Sequence, residues 1–171
     1  MKILYAPWRD NYTSSVAHSK DSDTPEHECV FCNHFKDTKD EQHFILRRFD
    51  HTVAILNRYP YNAGHMMLLP RRHVESLDKL SSKERAELME LTSQSVEILK
   101  KALKAEGLNV GINLGKAAGA GIPSHLHVHI LPRWTGDTNF VPAIGETKVI
   151  SFDLTEIFNK LKPEFDALKV S

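Results

Sequence analysis

Apolar residues recur at two spacings along this chain, and the spacing sets the element that each segment is expected to form. Strand-like runs cover 43–49, 52–57 and 65–70. Between the last two lies Arg58-Tyr59-Pro60-Tyr61-Asn62-Ala63-Gly64, whose Pro, Asn and Gly predict a turn. Ser81 and Glu84 stand at capping-box spacing. The face that follows, Leu88, Leu91, Ser95, Ile98, Leu99 and Ala102, is helical, and the helix is expected to run to about Glu106 and stop at Gly107. Leu108–Leu114 predicts a strand, Gly115–Ser124 a tight loop, and His125–Leu131 a further strand. Leu154, Ile157, Phe158 and Leu161 recur at i, i+3, i+4 and i+7, predicting a shorter helix that ends before Pro163. This order of elements predicts an α+β domain built on an antiparallel sheet, not a doubly wound parallel one.

The chain has 171 residues, enough for one domain with a real core. Residues 13–28 are polar and read as a connector, so 1–28 is expected to be a partly flexible N-terminal segment and 29–171 a single domain. Lys plus Arg and Asp plus Glu are equal at 22 each, which argues against a nucleic-acid or membrane-surface partner. No apolar run reaches membrane-spanning length, the start lacks a signal-peptide core, and cysteines are scarce, so a cytoplasmic protein is expected.

The unusual feature is a set of ten histidines, three of them in His125-Leu126-His127-Val128-His129-Ile130. On a strand these alternate, placing His125, His127 and His129 on one side and Leu126, Val128 and Ile130 on the other. Directly before them, Gly115–Ser124 is rich in small residues, which let backbone approach a ligand and can form an anion nest. A nest feeding into a histidine row points to phosphate chemistry. A neutral imidazole is nucleophilic near pH 7 without a separate base. Read alone, the same spacing also fits a three-histidine metal site or a polar face at a subunit contact.

Cys29 and Cys32 form a CxxC, which in a reducing compartment favours zinc over a disulfide. Two thiolates need two more ligands, and His73 and His125 are available. His27, His34, His43 and His51 lie near the pair in sequence and compete with His73 for the role. A redox pair and two inert thiols are the other readings.

Taken together, Ser124-His125-Leu126-His127-Val128-His129-Ile130-Leu131-Pro132-Arg133-Trp134, the upstream segment 57–74 and the CxxC resemble the histidine triad nucleotide hydrolases and transferases. The segments 4–12 and 132–150 are similar to the bacterial diadenosine tetraphosphate phosphorylase-like branch of that family. The resemblance covers about residues 1–150. It implies a nucleotide or dinucleoside polyphosphate substrate, attacked at the α-phosphorus by His127. His129 would steady the transition state, Asn57 would contact ribose, and Asn113 with the backbone of Gly119, Ala120 and Gly121 would hold phosphate. Ser124 would stand near the leaving group, although it departs from the residue usual there. The resemblance also implies a structural zinc on Cys29, Cys32, His73 and His125, and a homodimer. Water as the acceptor gives a hydrolase and inorganic phosphate gives a phosphorylase. A nucleotide-binding protein with little turnover and a zinc-dependent hydrolase are the alternatives.

Overall fold

In the computed structural model, residues 25–139, 144–145 and 152–169 are described. The proposed N-terminal segment up to residue 24, with its apolar stretch Ile3–Trp8, lies outside them. Five strands, β1 (Ile45–Arg48), β2 (Thr52–Leu56), β3 (Met66–Pro70), β4 (Gly107–Ile112) and β5 (Val128–Arg133), form one antiparallel sheet in the order β1-β2-β3-β5-β4. Among the described residues, three α-helices accompany it: α1 (Val30–Lys36), α2 (Ser82–Leu103) and α3 (Leu154–Asp166). The expected α+β architecture is the observed one. Among the described residues, no helix is long and apolar enough to cross a membrane.

The sheet divides the apolar side chains into two layers. On one face Leu46, Ala54, Leu56, Met66, Leu68, Val128 and Ile130 pack with Leu88, Leu91, Ile98 and Leu99 of α2 and with Ile157, Phe158, Leu161 and Phe165 of α3. On the other face Ile45, Val53, Ile55, Met67 and Leu69 pack with Cys29, Phe31 and Cys32 at the start of α1. β2 and β3 are therefore buried on both sides, which is why they read as continuous apolar runs rather than as alternating ones.

The capping box is present. The Ser81 hydroxyl accepts from the Glu84 N–H, and the Glu84 carboxylate accepts from the Ser81 N–H. The turn before β3 ends on Gly64 at φ 70°, where an added Cβ would lie 2.3 Å from Leu103 Cδ1.

Four boundaries differ from the sequence reading. α2 ends at Leu103, with Lys104 in the left-handed region, and Gly107 opens β4 instead of stopping the helix. Trp134 Nε1 donates to Lys104 O at 2.9 Å and Glu106 N to Arg133 O at 2.9 Å, so tertiary bonds hold the earlier ending. α3 runs through Pro163 to Asp166. Pro163 costs the helix one internal hydrogen bond, but Leu161 and Phe165 are fully buried. The Arg47 guanidinium also gathers the carbonyls of Phe165, Asp166 and Leu168 at 2.8, 3.1 and 2.6 Å. A short helix, α1, begins immediately after Cys29. Finally, β5 starts at Val128 rather than at His125. Leu126 N donates to Val74 O at 2.6 Å, so the segment before Val128 leaves the β3 ladder and runs past the β3–α2 connection.

Candidate active site

The alternation expected of the triad survives although the ladder begins only at Val128. Leu126, Val128 and Ile130 enter the core beneath α2, and the three histidines face the other way, His125 and His127 against Phe31 of α1 and His129 beside His127. The histidines then divide into two groups with different surroundings.

His125 is fully buried. Its Nε2 donates to Pro70 O at 2.9 Å, which leaves Nδ1 without a proton in the neutral ring. That bare nitrogen lies 3.4 Å from Cys29 Sγ and 3.4 Å from Cys32 Sγ, and His73 Nδ1 lies 3.3 Å from Cys32 Sγ. The four ligand atoms fall within 4.8 Å of one another. Neighbouring S and N ligands around a tetrahedral zinc are separated by about 3.5 Å, so donor set, burial and spacing all fit a closed four-ligand metal site. Burial, and next the adjacent Cys29, pushes the Cys32 thiol up to about 12, and burial pulls His125 down to about 4. A divalent cation bound here would displace the two thiol protons and be balanced by the two thiolates, with the neutral imidazoles completing the ligand set. Among the described residues, this is the group able to hold a metal, and it includes neither His127 nor His129. None of the four competing histidines belongs to this group; His34 stacks on His43 at 4.2 Å, and His43 Nε2 lies 3.0 Å from Asp37 Oδ2.

His127 is oriented by the same residue. Its Nδ1 donates to the His125 carbonyl at 2.8 Å, so the neutral ring carries a bare Nε2. Burial holds His127 below its ordinary value, opposed by that hydrogen bond. His129 pairs with β3 and β4, where its neighbours in register are Met67 and Gly111. Burial, and then the nearby His127, brings it down to about 4. The rings of His127 and His129 are 4.8 Å apart and nearly perpendicular.

A fourth histidine, not singled out in the sequence, completes the row. His65 is fully buried just before β3, with Nε2 2.9 Å from His129 Nδ1. The Tyr61 N–H donates to His65 Nδ1 at 3.1 Å. A backbone amide only donates, so the proton of neutral His65 sits on Nε2 and is donated to His129 Nδ1. His129 therefore carries its own proton on Nε2. The row presents one bare nitrogen, on His127, beside one N–H, on His129.

Both histidines line a cleft of about 550 Å³, together with Phe31, His34, Ile55, Asn57, Tyr61 and the backbone of Gly119 and Gly121. Asn57 accepts the Tyr59 N–H at 2.9 Å through Oδ1 and stands 3.4 Å from His65 Nδ1 through Nδ2. Asn113, Ala120 and Ser124 are not in this lining. Asn113 Nδ2 donates to Gly119 O at 3.4 Å and thereby braces the loop. Ala120 is buried, and Ser124 borders a separate pocket of about 160 Å³ with Glu28, Cys29 and Val30. The expected nest is partly closed on itself: Ala118 N and Ala120 N donate to Gly115 O, and Gly119 N donates to Lys116 O.

Comparison with known proteins agrees with this geometry. The HIT domain model matches residues 38–136. An "AP-4-A phosphorylase" of Mycobacterium tuberculosis is 39% identical over 150 residues, covering 88% of this chain and 77% of that one. An uncharacterised HIT-like protein of Methanocaldococcus jannaschii is 32% identical over 134 residues, covering 78% and 98%. Among solved structures, a histidine triad family protein from Mycobacterium smegmatis superposes with a TM-score of 0.68 at 24% identity, over 83% of this chain and 96% of that one, which shows a common fold. With three alternating histidines leading into β5 and a family match that spans all five strands, the chain belongs to the HIT domain family.

Proposed function

We propose that this protein is a nucleotidyl hydrolase or transferase that acts on dinucleoside polyphosphates of the diadenosine tetraphosphate kind through a covalent nucleotidyl-histidine on His127. The observation that carries the reading is the hydrogen bond from His127 Nδ1 to His125 O, which leaves Nε2 bare in a cleft large enough for a nucleotide. In the first step the Nε2 lone pair attacks the α-phosphorus. The bond from that phosphorus to the bridging oxygen breaks, and the departing polyphosphate keeps the electron pair. His129 Nε2–H meets the charge that grows on the non-bridging oxygens, Asn57 holds the ribose, and the backbone at Gly119 and Gly121 borders the phosphates. In the second step an acceptor attacks the same phosphorus, the N–P bond breaks, and its electrons return to Nε2.

Water as acceptor yields a nucleoside monophosphate and inorganic phosphate yields a nucleoside diphosphate. The relative named a phosphorylase favours phosphate. Cys29, Cys32, His73 and His125 would hold zinc, whose contribution is structural: it ties the start of α1 to the segment that orients His127. The test is incubation with diadenosine tetraphosphate, with and without inorganic phosphate. ADP that appears only with phosphate identifies a phosphorylase, AMP in both identifies a hydrolase, and no product in either contradicts the reading.

A further inference from the structure

A substrate whose phosphorus meets His127 and whose ribose meets Asn57 leaves its base to the rest of the cleft. That remaining lining is largely apolar, with Val30, Phe31, Ile55, Leu56 and Met67; Arg58, His43 and His34 interrupt it, and the largely exposed Tyr59 and Tyr61 also line it. Two of the three interrupting side chains are already engaged. Arg58 Nη2 donates to Gln42 O at 3.0 Å while its guanidinium lies 5.9 Å from the Phe44 ring centroid. His43 Nε2 lies 3.0 Å from Asp37 Oδ2, and an ionised carboxylate only accepts, so His43 is the donor there.

His34 is different. Its ring is stacked on His43 with centroids 4.2 Å apart and planes 22° from parallel, so Asp37 and His43 together fix its plane. Its Nδ1 is buried without a hydrogen-bond partner. A buried nitrogen with no partner is tolerated better as a bare acceptor than as an orphaned N–H, which puts the proton of the neutral ring on Nε2. In His34 the lining thus offers a base an N–H donor held in a set plane beside apolar walls. A purine carries an acceptor nitrogen on its five-membered ring; a pyrimidine's acceptors lie elsewhere on its single six-membered ring, which presents C–H at the corresponding edge.

We propose that His34, propped by His43 and Asp37, reads the base in this cleft by donating Nε2–H to a purine ring nitrogen, so that the enzyme selects purine over pyrimidine substrates. The proposal rests on the nucleotide reading given above. The informative variant is His34→Phe, which keeps an aromatic ring to stack on His43 and removes the ring nitrogens. Loss of one hydrogen bond between neutral groups corresponds to about 5- to 10-fold. Wild type is therefore expected to prefer diadenosine tetraphosphate to the diuridine compound. His34→Phe should lose about 5- to 10-fold in kcat/KM for the adenosine substrate, mostly through KM, with the uridine substrate almost unaffected. Equilibrium binding of AMP and UMP gives the same comparison without turnover. An unchanged purine-to-pyrimidine ratio in His34→Phe, in both assays, overturns the proposal. If wild type turns over no dinucleotide but binds AMP more weakly once His34 is changed, nucleotidyl transfer fails and base reading by His34 stands.

Discussion

His65 Nε2 and His129 Nδ1 are 2.9 Å apart, and the Tyr61 N–H on the far side of His65 gives that contact a direction. Protons are placed one after another, from the Tyr61 amide to His65 and from His65 to His129, so His129 keeps an N–H for substrate. Replacing His65 with Leu removes the donor and lets His129 take either tautomer. Turnover should fall about 10- to 100-fold, short of the loss of about 10²–10³ that follows outright removal of an oxyanion donor. KM should change little, and His65→Gln, which retains an N–H, should recover part of the rate. Unaltered kcat in His65→Leu would show that the tautomer of His129 is set by something else.

The pH profile follows from the same burial. His127 is held below 6.5 and His129 at about 4, in each case first by removal from water. The neutral forms are the working ones, so protonation abolishes activity. kcat/KM is expected to be level well above pH 6.5 and to fall on an acid limb centred below 6.5. An acid limb centred at 6.5 or above would mean that His127 is solvated as an ordinary histidine.

Much of this was legible in the sequence and some was not, for physical reasons. The capping box and the helical face of α2 are local patterns, and they appear where residue spacing put them. The triad's alternation held because Leu126, Val128 and Ile130 must enter the core. His65 was not legible: it is a single buried histidine before β3, and only the pairing of Met67 with His129 brings it to the triad. The stop of α2 at Lys104 was hidden because a non-glycine residue in the left-handed region costs roughly 1–2 kcal/mol, a cost met here by contacts from Arg133 and Trp134 that lie about thirty residues away in sequence. α1 is seven residues long, too short to establish a helical period.

Metal content should depend on the cysteine cluster and leave the cleft's own residues out. Cys32→Ser is expected to lose bound zinc, measured by atomic emission. Its melting temperature should drop by about 4–8 °C, the equivalent of about 2 kcal/mol in a chain of this size. His129→Ala should keep full zinc. Retained zinc in Cys32→Ser would place the metal elsewhere.

Arg47 offers a test of the fold apart from the chemistry. Its guanidinium serves three carbonyls at the end of α3 and lies 4.8 Å from the Phe49 ring centroid. Arg47→Leu should destabilise the protein by about 1.5–3 kcal/mol in urea unfolding, with KM unaltered. Loss below about 0.5 kcal/mol would mean that packing of Leu161 and Phe165 alone carries α3 past Pro163.

The covalent step is open to direct observation. The protein is mixed with diadenosine tetraphosphate labelled at the α-phosphorus, quenched within the first turnover under alkaline conditions that preserve the N–P bond, digested, and mapped by mass spectrometry. A nucleotidyl adduct is expected on His127 alone, absent from His127→Ala, whose turnover should be lower by at least about three orders of magnitude. Label on another residue, or near-normal turnover in His127→Ala, would contradict the account.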